Sequence, residues 1–66
     1  MTILLNGESF ETDGPLSVSR LLAGLDVDPR RVAVEHNRHV IKKAAYGITV
    51  VREGDEVEVV NFVGGG

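Results

Sequence analysis

Only one stretch of this chain places apolar residues at helical spacing. Val18, Leu21, Leu22 and Leu25 fall at i, i+3, i+4 and i+7, which is one face of one helix. Elsewhere the apolar residues alternate or run in short bursts, the signature of strands. One helix among several short strands predicts a single sheet with the helix across one face, an α+β arrangement. The chain has 66 residues and no cysteine, which sharpens the point. A domain this small buries only about 60% of its unfolded surface. Without thiols it has no disulfide, thiolate metal site or catalytic cysteine. The sheet–helix interface must therefore supply the whole core.

The strands read off in order. Ile3-Leu4-Leu5 is a short apolar run, followed by Asn6-Gly7, a strong hairpin signal because both positions tolerate positive φ. Residues 8–12 return with Phe10 inward. Asp13-Gly14-Pro15 breaks the pattern. Ser17 is a good N-cap for a helix over 17–25, and Leu16 and Leu21 have the spacing of a hydrophobic staple. Gly24 is expected in the last turn, before Asp28-Pro29. Residues 32–36 alternate again, with Asn37-Arg38 as a turn, 39–41 extended and a helical turn over 42–46. Residues 48–51 form a short strand, Gly54 a permissive turn position, and 56–63 the last strand. The first strand is the most apolar and wants a central place, so the last strand should lie beside it, in parallel. Ile3, Leu5, Phe10, Val18, Leu21, Leu22, Leu25, Val32, Val34, Val57 and Val59 should form the core.

Composition removes several function classes. Ten acidic and seven basic residues are interspersed, giving a net charge of −3. A nucleic-acid binder would instead show a basic patch with stacking aromatics. No apolar run approaches a membrane span, and the apolar N-terminal stretch is too short for a signal peptide. A soluble cytoplasmic domain over residues 1–63 is expected, with 64–66 as a flexible tail.

That tail is the most distinctive stretch. The last strand runs into Gly64, Gly65 and Gly66. A glycine run that ends a chain links to nothing. It is a thin tail with a free α-carboxylate, able to enter a channel too narrow for any side chain. Three extended residues reach about 10 Å, enough to deliver one carboxylate into another protein's active site. Disorder is expected in the free protein, with rigidity only in a partner's channel. By alternation, Val57 and Val59 face the helix, whereas Glu58, Val60 and Phe62 face away. Two apolar side chains on an outer face beside the tail suggest a docking surface.

Several groups together resemble one family. They are Asn6-Gly7, Ser17-Val18 with Leu21-Leu22, Val34-Glu35-His36-Asn37 with Val40-Ile41, the stretch from Gly54 to Val60, and Phe62-Val63-Gly64-Gly65-Gly66. The chain resembles, over essentially its whole length, the thiamin-biosynthesis sulfur carrier proteins. The resemblance implies a ubiquitin-like β-grasp fold, with a mixed sheet of four to five strands and one main helix. It also implies a protein co-substrate, not an enzyme. A ThiF-type adenylating enzyme would use ATP to activate the Gly66 carboxylate as an acyl-adenylate. A sulfur donor protein would convert that to a thiocarboxylate, and the sulfur would pass to a ThiG-type thiazole synthase. The carrier itself would bind no cofactor and no metal. A terminal carboxylate has a pKa of about 3.3–3.7, so it is ionised at neutral pH and needs such activation. Many relatives end in two glycines; trimming of one residue would transfer the role to Gly65. The same tail chemistry suits the small subunit of molybdopterin synthase or a ubiquitin-like modifier, while an inert tail would leave a plain interaction domain.

Other candidates are weaker. His36 and His39 lie three apart in an extended stretch with no completing carboxylates, so surface packing is favoured over a metal site. Ser17 and Ser19 lack a base partner. Asp26 and Asp28 suit a solvated loop, Lys42-Lys43 a solvated surface, and Tyr46 packing.

Overall fold

The computed structural model describes residues 1–61. Strands β1 (Thr2–Leu5) and β2 (Glu8–Glu11) form the first hairpin. A two-residue strand β3 (Leu16–Ser17) leads directly into helix α1 (Val18–Gly24). A 3-10 turn at Pro29–Arg31 precedes β4 (Val32–His36), which pairs with β5 (His39–Ile41). A second 3-10 turn at Lys43–Ala45 precedes β6 (Val50–Val51) and then β7 (Glu56–Asn61). Five strands form one sheet in the order β2-β1-β7-β4-β5. β7 is central, parallel to β1 and antiparallel to β4. The expected parallel pairing of the first strand with the last is thus observed, and the mixed sheet with one helix is the β-grasp architecture the resemblance implied.

Both hairpin turns follow from their residues. Asn6 and Gly7 take φ of 52° and 81°, and Asn37 and Arg38 take 50° and 71°. Two consecutive positive φ values are what a two-residue turn of matching twist requires, and asparagine tolerates them. Arg38 does so without the glycine that the position favours.

The helix is capped at both ends by side-chain and backbone groups. The Ser17 hydroxyl accepts from the Arg20 N–H at 3.1 Å. Ser17 is extended, so it also pairs in a small ladder, Leu16 with Val51 and Ser17 with Val50. That ladder was not legible beforehand, because the cap and staple roles already accounted for both residues. At the other end Gly24 is the last helical residue, as expected, but Asp26 makes the left-handed turn at φ 59°. The Asp26 N–H reaches the Ala23 carbonyl and the Val27 N–H the Leu22 carbonyl, at 3.1 and 3.0 Å. This satisfies carbonyls the helix would otherwise leave unpaired, and Val27 packs on the core.

The core lies between α1 and the inner sheet face. Ile3, Val18, Leu21, Leu22, Val32, Val34 and Val57 are buried, as the pattern predicts. Leu5, Phe10, Leu25 and Val59 pack at its rim, partly buried. Tyr46 and Val51 join the buried set. The Tyr46 hydroxyl donates to the Val32 carbonyl at 3.3 Å, and burial pushes its phenol pKa up, keeping it a donor. The expected strand over 48–51 is shorter than its apolar run. The Ile48 and Thr49 N–H groups both bond the Ala45 carbonyl, which leaves Ile48 on the surface.

Candidate functional site at the end of the central strand

The site is built on β7, the strand that leads into the glycines. Its two neighbours hold it by more than their ladders. β1 pairs with β7 only as far as Leu5 opposite Val57. Beyond that point the Asn6 side chain continues the ladder. The Val59 N–H donates to Asn6 Oδ1 at 2.8 Å, and Asn6 Nδ2 donates to the Val59 carbonyl at 3.3 Å. Asn37 holds the start of β7 with one side-chain and one backbone group. The Glu56 N–H donates to Asn37 Oδ1 at 2.9 Å, and the Asn37 N–H donates to the Glu56 carbonyl at 2.8 Å. Asn6 thus mimics a backbone unit with its side chain alone beside Val59, whereas Asn37 holds Glu56 with its side-chain oxygen and its own backbone N–H. Sequence reasoning saw both asparagines as turn formers and missed this second use.

The last described register pair is Val32 with Asn61. The described end of β7 therefore lies at a fixed point beside the start of β4. Arg30 and Arg31 immediately precede that point, and the Lys43 ammonium bonds the Pro29 and Val32 carbonyls there, at 3.2 and 2.8 Å. Lys43 is thus built into the fold rather than a solvated side chain. Asp28 caps the 3-10 turn, accepting from the Arg30 N–H at 2.9 Å and from its guanidinium. The hydrogen bonds from Arg30, side chain first, hold the Asp28 carboxyl below its usual pKa.

On the outer sheet face, Val60 is 56% exposed and stands beside Ala33. Leu4 and Val40 are exposed on the same face by alternation. Val57 is buried and Val59 half-buried on the helix side, so the alternation read from the sequence holds over the described part of β7. Phe62, Gly64, Gly65 and Gly66, the other residues expected at the site, lie outside the described residues.

His36 belongs to a separate cluster at the other end of β7. Its Nε2 lies 2.7 Å from Asp55 Oδ2, and the Arg52 N–H donates to the same oxygen at 2.9 Å. The imidazole is half-buried in this bond rather than packed loosely on the surface. His39 stands opposite it in the ladder, exposed. Among the described residues no three histidine or carboxylate side chains are grouped to hold a metal.

Burial raises the Asp55 pKa, but hydrogen bonds from His36, the Arg52 N–H and Asn37 outweigh it and leave the carboxyl below its usual value. A carboxylate with a depressed folded pKa stabilises the fold fully above its unfolded pKa of about 3.9. That contribution is lost as pH falls through the lower folded value. Asp55→Asn should cost about 1–2 kcal/mol at pH 7. The cost should shrink as both proteins are melted at successively lower pH. A pH-independent difference would mean that the Asp55 charge contributes nothing.

With this geometry in place, the relatives can be compared. The sequence model of the ThiS family matches residues 3–66. The chain belongs to the ThiS family. A crystal structure of the thiamine biosynthesis protein ThiS from Geobacter metallireducens superposes on this ThiS-family chain with a TM-score of 0.88. The two are 39% identical, and all of each chain is covered. The sulfur carrier protein ThiS of Bacillus subtilis is 36% identical over 50 residues, 76% of each chain. A thiazole synthase of Magnetococcus marinus is 44% identical over 66 residues, all of this ThiS-family chain but 20% of that protein. The chain thus spans about a fifth of that longer relative. No helix among the described residues is long and apolar enough to cross a membrane.

Proposed function

We propose that this chain is a sulfur carrier of thiamin biosynthesis, with Gly66 as the residue that carries the sulfur. The observation that supports this most is the placement of β7. It is the central strand, held on both sides, and its sequence continues through Phe62 and Val63 into three glycines. The tail thus starts from a rigid platform, while the glycines offer no side chain to obstruct a narrow channel.

The chemistry asks little of the carrier. A carboxylate is a poor electrophile. Attack of a Gly66 carboxylate oxygen on the α-phosphorus of ATP forms an acyl-adenylate and releases pyrophosphate. Sulfur delivered at the sulfide level by the donor then attacks the acyl carbon as hydrosulfide, the C–S bond forms as the bond to AMP breaks, and the product is a thiocarboxylate. Its sulfur is the nucleophile delivered to thiazole synthase. The adenylating partner supplies ATP and the catalytic groups, so the carrier is a co-substrate rather than an enzyme. The Bacillus relative carries the sulfur-carrier name, and the Magnetococcus relative joins a matching segment to a longer chain named thiazole synthase. Both fit a carrier whose tail is received by that synthase. The purified protein, ATP and the adenylating enzyme should release pyrophosphate in proportion to carrier added. No release above an enzyme-only control would contradict the reading.

Val60, on the outer face, and Phe62, two residues further along the chain, serve as the docking pair. A central interface aromatic is often worth about 2 kcal/mol or more. Phe62→Ala should therefore weaken binding to the adenylating enzyme or thiazole synthase at least about tenfold, with little change in melting temperature. A sharp fall in melting temperature with affinity unchanged among folded molecules would make Phe62 a core residue instead.

A further inference from the structure

The outer sheet face is electrically divided along β7. Toward the start of β7 it carries Glu35, Glu56 and Glu58, and the register sets Glu35 directly opposite Glu58. Like charges placed directly across a ladder are destabilising. Among the described residues neither Glu35 nor Glu58 makes an ion pair; Arg38 lies 3.8 Å from Glu56. Toward the tail the sign reverses. Arg31 ends the 3-10 turn that leads into Val32, the partner of Asn61, and so lies at the Asn61 end of the sheet. Lys42 follows Ile41, the partner of Val34, which sets it one step further toward the tail end of the sheet. Arg31 is 81% exposed, and Asp28, which lies 3.8 Å away, is also bonded by Arg30. Exposed Val60 stands between the two regions, on the row beside Ala33.

We infer that this polarity orients the protein that receives the tail, and that the partner carries carboxylates over Arg31 and Lys42 and a basic side chain over Glu35 and Glu58. The inference rests on the carrier reading above, since it needs a partner that docks beside the tail. The charge pattern argues for one occupant. A second copy docked in the same sense would set acid against acid, and one docked in the opposite sense would bring the Asn61 end of each, with the ionised terminal carboxylate beyond it, over the other's glutamates. A nucleic acid would be repelled by the three glutamates. A protein with the opposite polarity satisfies both ends at once and places its entrance beside the described end of β7. Such complementarity fixes register and raises the association rate more than it raises affinity.

The test is the initial rate of pyrophosphate release against carrier concentration, with the purified adenylating enzyme and ATP. Glu58→Lys and the double variant Arg31→Glu with Lys42→Glu should each raise KM about tenfold, with kcat nearly unchanged. The increase should shrink as salt is added. Glu58→Lys relieves the like-charge pair, so its melting temperature should not fall. A variant at least as stable as the parent but weaker as a substrate separates docking from folding. Adenylation of the parent with KM unchanged in both variants overturns the inference and leaves the carrier reading standing. No adenylation of the parent overturns both.

Discussion

A chain lacking Gly65 and Gly66 should fold as well as the full-length protein and form no adenylate. The folding half of this result follows from where the core ends. Val57 is the last fully buried residue described and Val59 the last that packs on the core. Truncation after Gly64 leaves every described core residue in place, and changes away from the core usually stay within about 0.5 kcal/mol. The chemical half follows from reach. Two residues removed withdraw the carboxylate by about 7 Å, at roughly 3.3–3.6 Å per extended residue. An in-line attack on a phosphate held in a partner's site does not survive a displacement of that size. Melting curves and pyrophosphate release on the same two proteins check both halves. Equal adenylate formation would show that the terminal glycines are dispensable.

Leu22→Ala should bring the opposite outcome, a protein that fails before chemistry is tested. Leu22 is fully buried between the helix and the sheet, and its carbonyl accepts both the Leu25 and Val27 N–H groups at the end of α1. Truncating a buried leucine costs about 2–5 kcal/mol through lost burial and the cavity left behind. A domain of this size loses about 4–8 °C of melting temperature per kcal/mol. A drop of more than about 10 °C is therefore expected, read by circular dichroism. Val40→Ala, on the outer face at 74% exposure, is the comparison and should shift it little. Similar drops in the two variants would contradict the assignment of inner and outer faces.

What the sequence revealed and what it concealed divide along a physical line. Local patterns were legible. The helix face of Val18, Leu21, Leu22 and Leu25, the Asn6-Gly7 turn and the alternation along Val32 to His36 all lie within one element each. The parallel pairing of β1 with β7 was also reachable, because the most apolar strand needs neighbours on both sides. Contacts between distant segments were not. Nothing local in Asn6 says that its amide will bond Val59, 53 residues on. Nothing in Val50-Val51 says that they will pair with Leu16-Ser17. Asp26 looked like a solvated loop residue because glycine is the usual occupant of a left-handed helix stop. The same division holds at the site. The glycine tail and the exposure of Val60 were readable in one dimension. That Arg31 and Lys42 both lie toward the Asn61 end of the sheet required the register.

The central claim is that this chain carries sulfur as a thiocarboxylate on Gly66. Intact-mass measurement tests it most directly, on protein incubated with ATP, the adenylating enzyme and a sulfur donor, followed by fragmentation. The account predicts a species heavier by the difference between one sulfur and one oxygen, with the added mass confined to the fragment that contains Gly66. A mass unchanged after full turnover of ATP, or an added sulfur located anywhere else in the chain, would contradict it.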